Sequence, residues 1–353
     1  MRRPRRVVLG RAAMLAAVAV SLVVFADELP SPGSVWHEVA EADTRWLALV
    51  VATELLSMSS FARLQRRLLT GGGLRISLRR VFAVTYAGNA ISATLPAGPA
   101  MSLAYAFRQW RGRGASRHLA TAVVLVGGAA TTLSYTVVTS AALLAEPGSR
   151  LPSLVTLLAL AAAGLTVLLL VRGGRLAGPV ARVTSHPRIG PWVAELREGL
   201  HVISLSWRGW TAVSLLACTV WLCDIIGVVA ATHAVGLHLT PLQAALAYFT
   251  AQAAGSVLPI LPGGLGAMEA SMAAAMVGFG AAAAPAGAAV ALYRLVAFWG
   301  VVALGWLAWT VLRLDGTFWA RARTWLEAAG TNYAMAAGYT GYTVAPASEP
   351  RRS

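Results

Sequence analysis

The chain has 353 residues, 57% hydrophobic and 12% charged, with a mean hydropathy of +0.65 and a formal net charge of +15. A soluble domain carries about 25% charge, so this composition excludes one and describes an all-α polytopic integral membrane protein. All 29 basic residues are arginine, which excludes a Walker A lysine and a Schiff-base lysine, and with them ATP-driven transport by this chain alone.

Residues 1–11 are arginine-rich and 12–25 apolar. This reads as a first span held inside by its arginines, or as a signal peptide cleaved after Val24-Phe25-Ala26. An acidic stretch follows, with Asp27, Glu28, Glu38, Glu41 and Asp43 against Arg45, and is expected outside. The segment 1–45 is thus an N-terminal span with an external loop. A second span, 46–61, carries Glu54, and the next segment, 63–80, is arginine-rich and expected inside.

The apolar stretch 81–107 is flanked by arginines on both sides, since 108–117 is arginine-rich as well. Its middle reads Leu95-Pro96-Ala97-Gly98-Pro99, which breaks a helix. A re-entrant hairpin dipping in from the cytoplasm resolves the conflict. Its half-helices, 81–95 and 98–108, would measure about 22 and 16 Å, each long enough to reach the middle of a core about 30 Å thick. The rival, one long tilted span, would put the second arginine group outside.

Spans are expected at 118–144 and 154–171, then an arginine-rich cytoplasmic stretch, 172–208. Within it Trp192, Val193, Leu196, Leu200 and Ile203 recur at helical spacing, an amphipathic surface helix. A span at 209–236 carries Asp224. The apolar stretch 242–280 is broken by Pro259, Pro262, Gly263, Gly264 and Gly266, with Glu269 just beyond. It reads as a second hairpin, entering from outside. Broken backbone at membrane depth is tolerated only where it is buried in protein or lines a wet cavity. The span 285–312 carries Arg294, and 313–353 reads as a cytoplasmic interfacial helix with a disordered tail. This layout, six full spans and two hairpins with both termini cytoplasmic in the cell membrane, leaves only Arg45, Arg150 and Arg294 off the cytoplasmic side.

The halves, about 1–145 and 154–312, repeat one pattern. Leu95-Pro96-Ala97-Gly98 and Leu261-Pro262-Gly263-Gly264 occupy corresponding places, and three crossings per half invert one against the other. Inverted repeats whose broken helices meet near the midplane are a transporter signature.

Four ionisable residues fall at membrane depth: Glu54, Asp224, Glu269 and Arg294. Each costs about 2.5–3.5 kcal/mol at a helix centre, so a partner or a use is expected. Glu269 and Arg294 form either a structural ion pair or a site in which Arg294 holds a lipid phosphate while Glu269 orients it or carries a proton. Glu54 and Asp224 take comparable places in the two halves, with local hydrogen bonding as the simpler role. Each second half-helix starts at its Pro-Gly break with a partial positive charge, and Asn89, Ser92 and Ser256 are candidate polar lining. The isolated aspartates, scattered histidines and the single-span cysteines Cys218 and Cys223 give no metal-ligand pattern, and no cofactor is expected.

Pro262-Gly263-Gly264-Leu265-Gly266 with Glu269, followed by Arg294 in the next apolar span, resembles the flippase-like transmembrane domain of the bacterial lysylphosphatidylglycerol synthases. A polar first hairpin, here Asn89 with Pro96 and Gly98, also fits. The resemblance covers about 46–312 and implies binding or ATP-independent movement of a phosphate-bearing lipid, aminoacylated or polyprenyl-linked. The first hairpin, Ala97-Gly98-Pro99-Ala100-Met101-Ser102, lacks the charged residues many members carry there, which leaves the headgroup open. No hydrophilic stretch in the chain is long enough to fold the soluble synthase domain. The alternative is a membrane accessory subunit, or an enzyme, working with a lipid-linked glycosyltransferase or synthase. The partners expected are membrane lipids and such an enzyme. Nucleic acid is not needed to explain the charge, because inward-facing arginines meet anionic lipid.

Overall fold

The computed structural model describes residues 32–95, 98–145, 147–172, 201–257 and 262–313. Among them every regular element is helical. The chain runs α1 (Pro32–Ala40), α2 (Thr44–Gly71), α3 (Leu78–Thr94), α4 (Gly98–Arg111), α5 (Arg117–Leu143), α6 (Arg150–Arg172), α7 (Trp207–Ala234), α8 (Pro241–Val257) and α9 (Ala267–Gly278). It ends in α10 (Ala283–Arg313), interrupted by a π-helical segment at Leu295–Gly300. The expected first span, the surface helix around 192–200 and the tail beyond 313 lie outside the described residues.

Four helices, α2, α5, α7 and α10, are long and apolar enough to cross a membrane. α6 coincides with the expected span at 154–171. Leu49, Leu55, Leu133, Val137, Leu215, Leu222, Leu304 and Leu307 are exposed on these helices, an apolar girdle that suits lipid and not water.

Local signals set the helix starts. The Asp43 carboxylate accepts the Arg45 N–H at 2.8 Å, Ser116 Oγ accepts from Leu119 at 3.1 Å, and Ser206 Oγ from Gly209 at 3.3 Å. Thr240 and Gln243 cap α8 reciprocally, side chain to backbone in both directions. Each cap satisfies N–H groups that a helix start leaves open. α2 continues past 61 to Gly71, because nothing in the Ala-Arg-Leu-Gln run breaks it before the glycines at 71–73.

The helix order, long, short, short, long, occurs twice: α2 to α5, then α7 to α10. α2 and α7, each of 28 residues, form the central pair and run in opposite senses. The Asp43 N–H at the start of α2 donates to the Ala234 carbonyl at the end of α7 (2.9 Å), and the Ser204 N–H, just before α7, donates to Gly71 at the end of α2 (3.0 Å). Small side chains allow the approach: a Cβ on Gly227 would lie 3.1 Å from Thr53 Oγ1 and 3.3 Å from the Tyr293 ring. Close packing of small residues is what holds helices together where lipid competes for apolar contact.

Two cores divide the bundle along its length. One gathers Leu64, Leu68, Leu69, Trp110, Leu119 and Val213, and lies beside the arginine-bearing ends of α2, α3, α4 and α5. The other gathers Val50, Val228, Tyr248, Met272, Met276 and Val290 toward the end that carries Asp43. α3 and α4 form an antiparallel pair rooted at the arginine end. α8 and α9 form a second such pair, rooted at the opposite end beside Ala234.

Candidate functional site

The two helix pairs meet at their tips. The second pair turns through Pro262–Gly264, with Gly263, Gly264 and Gly266 at φ of 65°, 66° and 82°, a left-handed backbone that glycine adopts without a Cβ penalty. Space there is as restrictive as torsion. A Cβ on Gly263 would stand 2.3 Å from the Phe298 ring and 3.3 Å from the Ala93 carbonyl at the end of α3. In the first pair a Cβ on Gly98 would fall 2.1 Å from the Ser92 carbonyl oxygen, so that turn closes backbone on backbone. Gly88 faces Ser102 across the pair.

Arg294 projects into this junction from α10. Its Nε donates to Glu269 Oε1 at 2.5 Å, one Nη donates to the Gly263 carbonyl at 3.3 Å, and the guanidinium lies 4.2 Å from the centre of the Phe298 ring. The second Nη faces the Met268 sulfur at 3.8 Å. Glu269 also bonds backward: its Oε2 accepts the Gly266 N–H at 2.6 Å. The carboxylate therefore occupies the N-terminus of α9 itself, and that helix end is not an open anion site as the sequence reading expected. The pair is unevenly covered, with the Arg294 side chain 10% exposed and Glu269 29%.

Glu269, Arg294, Gly263, Gly264 and Gly266 thus come together. Asn89 sits on α3 about one turn from the tip. Its amide donates to Thr85 within its own helix at 3.0 Å and lies 3.8 Å from the Met58 sulfur on α2. Pro96, and the side chains of Ser256 and Pro262, lie outside what the structure describes.

Glu54 and Asp224 form a separate group at the α2–α7 crossing, bracketed by the Thr53–Gly227 contact and the Ser57–Val220 hydrogen bond. Tyr248 donates its phenol O–H to Asp224 Oδ2 at 2.7 Å, so the aspartate's partner comes from α8 and is not local. Tyr293 stands edge-on to Tyr248 with ring centres 6.2 Å apart. Sequence reasoning passed over Phe298, Tyr248 and Tyr293 because an aromatic residue in an apolar helix reads first as core. The spacing of Arg294 and Phe298, one helical turn apart, is the signal that was available. Among the described residues no group of His, Cys, Asp and Glu is placed to hold a metal ion.

An apolar girdle, two oppositely rooted helix pairs and a part-buried ion pair at their junction define a helical membrane protein with an internal polar centre. The chain belongs to the lysylphosphatidylglycerol synthase TM region family, whose model matches residues 12–305. Comparison with curated proteins finds no match. Membership gives the chain a membrane, lipid-related role.

Proposed function

We propose that the chain binds a phosphate-bearing lipid at the Arg294–Glu269 junction and moves it across the membrane without ATP. The observation that carries this reading is the incomplete use of Arg294. A guanidinium has five N–H donors in a planar fork. Here one goes to Glu269, one to the Gly263 carbonyl and one faces a thioether, so two donors have no partner among the described residues. A phosphate accepts from such a fork bidentately, and the exposed edge of Glu269 gives it an approach. In this reading the arginine-bearing end faces the cytoplasm, where anionic lipid draws it, and both helix pairs are re-entrant.

The test is mass spectrometry of lipids that co-purify with the protein in mild detergent, wild type beside Arg294→Ala. One phospholipid or polyprenyl-phosphate class enriched in the wild type and lost in the variant supports the site. Identical bulk lipids in both leave Arg294 as a lock between α9 and α10. The weight then moves to an accessory subunit that serves a separate lipid-modifying enzyme.

A further inference from the structure

We propose that Glu54 and Asp224 bind one exchangeable proton between them across the α2–α7 interface, a site separate from the Arg294–Glu269 junction. Glu54 is 8% exposed and has no hydrogen-bond partner among the described residues. Asp224 lies on the facing stretch of α7, between the contacts that Gly227 makes with Thr53 and Val220 makes with Ser57. Among the described residues neither Glu54 nor Asp224 has an ion-pair partner, and Glu269 already holds the Nε of Arg294. Two carboxylates that face one helix interface with no cation between them ionise together only at a cost that one proton relieves. A single proton on either carboxyl removes most of the repulsion.

The surroundings are set for that proton and for little else. From α7 come Asp224 and Cys223, from α3 Tyr86, from α8 Tyr248 and from α10 Tyr293 with Arg294 beyond it. α5 offers Tyr135, which packs edge-on to Trp221 and Phe249 at 5.0 and 5.3 Å between centres. On α2 itself the Ser57 hydroxyl donates to the Val220 carbonyl at 3.4 Å, one turn before Asp224. Only two of these groups are carboxyls, and a metal ion would need a fuller oxygen shell of about six ligands or more. Tyr248 donates to Asp224 and stands edge-on to Tyr293, so two tyrosine rings lead from the acid pair to the residue before Arg294. Release of the proton leaves two carboxylates and delivers the proton to water. Coupling of that release to lipid movement rests on the function proposed above, whereas the proton site itself does not.

Infrared spectroscopy of the purified full chain in lipid nanodiscs tests the assignment without any transport assay. The wild type at neutral pH is expected to show a protonated-carboxyl band that shifts in D2O, vanishes in Glu54→Gln and weakens in Asp224→Asn. Both variants are near-isosteric, and thermal melting confirms that each is folded. Absence of the band in the wild type, or its full persistence in both variants, would overturn the proposal. So would loss of the wild-type band when sodium chloride replaces choline chloride, because a metal cation would then be the ligand. A positive band beside a negative lipid-retention result would keep the proton site and discard the lipid site.

Discussion

The Asp43 amide and the Ala234 carbonyl, 2.9 Å apart, tie the beginning of one half's leading helix to the end of the other's. Together with the Ser204–Gly71 bond at the far end, this fixes α2 and α7 as an antiparallel pair along their whole length. A cysteine pair at Thr53 and Gly227 tests it, in a background where Cys218 and Cys223 are alanine. Cβ atoms in a disulfide lie about 3.8 Å apart, and the Gly227 position stands 3.1 Å from Thr53 Oγ1. Oxidation is expected to cross-link the two, so that fragments cut at a protease site placed at Gly148 stay joined until reduced. Fragments that separate without reductant would refute the pairing.

Re-entrance has a direct readout. Arg75 and Arg113 flank the first helix pair, and His238 and Ala282 flank the second. If each pair returns to the side it entered from, single cysteines at 75 and 113 are labelled by an impermeant maleimide from one face of the membrane. Cysteines at 238 and 282 are then labelled from the other. Opposite-side labelling of 75 and 113 would make α3 and α4 one broken crossing.

The ion pair is expected to matter for stability as well as binding. Breaking a fully buried pair by removing one partner costs about 3–5 kcal/mol. Glu269 is 29% exposed, so Arg294→Met or Glu269→Gln alone should cost less, about 1–3 kcal/mol. Denaturation in detergent is expected to show the double variant losing less than the sum of the singles. Strict additivity would mean that the two side chains do not stabilise each other.

Glycines at the two tips should respond differently from glycines elsewhere. Gly263→Ala meets Phe298 and a left-handed backbone, and is expected to lower stability by at least about 1–2 kcal/mol. Phe298→Ala added to it relieves the clash but not the torsion, so rescue is partial. Gly98→Ala presses on a backbone carbonyl that has no rotamer to change. Gly128→Ala, in mid-helix with open space around it, should instead gain up to about 1 kcal/mol. Melting temperatures rank these variants, and a harmless Gly263→Ala would contradict the tip geometry.

Much of this was legible in the sequence because helix breaks announce themselves. Pro and Gly at 96–99 and 262–266 placed both turns, and the hydropathy of the long helices placed the four candidate spans to within a few residues, apart from the far end of α2. Glu269 with Arg294 was readable as a pair because isolated charges in apolar helices need partners. What stayed hidden depends on tertiary approach. Nothing local says that Tyr248 reaches Asp224 from another helix or that Phe298 lies under the guanidinium, whereas the Glu269 cap, three residues after Gly266, is a local signal that was passed over. The wide turn at Leu295–Gly300 is equally silent, since its residues are ordinary helix formers.

That wide turn sets the angular phase of the last helix. Upstream, Arg294 must face the junction of the two pairs. Downstream, Gly305 must face α3 so closely that a Cβ there would lie 2.3 Å from the Tyr86 carbonyl. Each helical residue advances the direction of its side chain by roughly 100°, so a regular helix would miss one of these two contacts. The extra residue held in 295–300 absorbs the mismatch. Deleting one residue there would straighten the helix and rotate its two ends against each other, severing the polar centre from the wall that supports it.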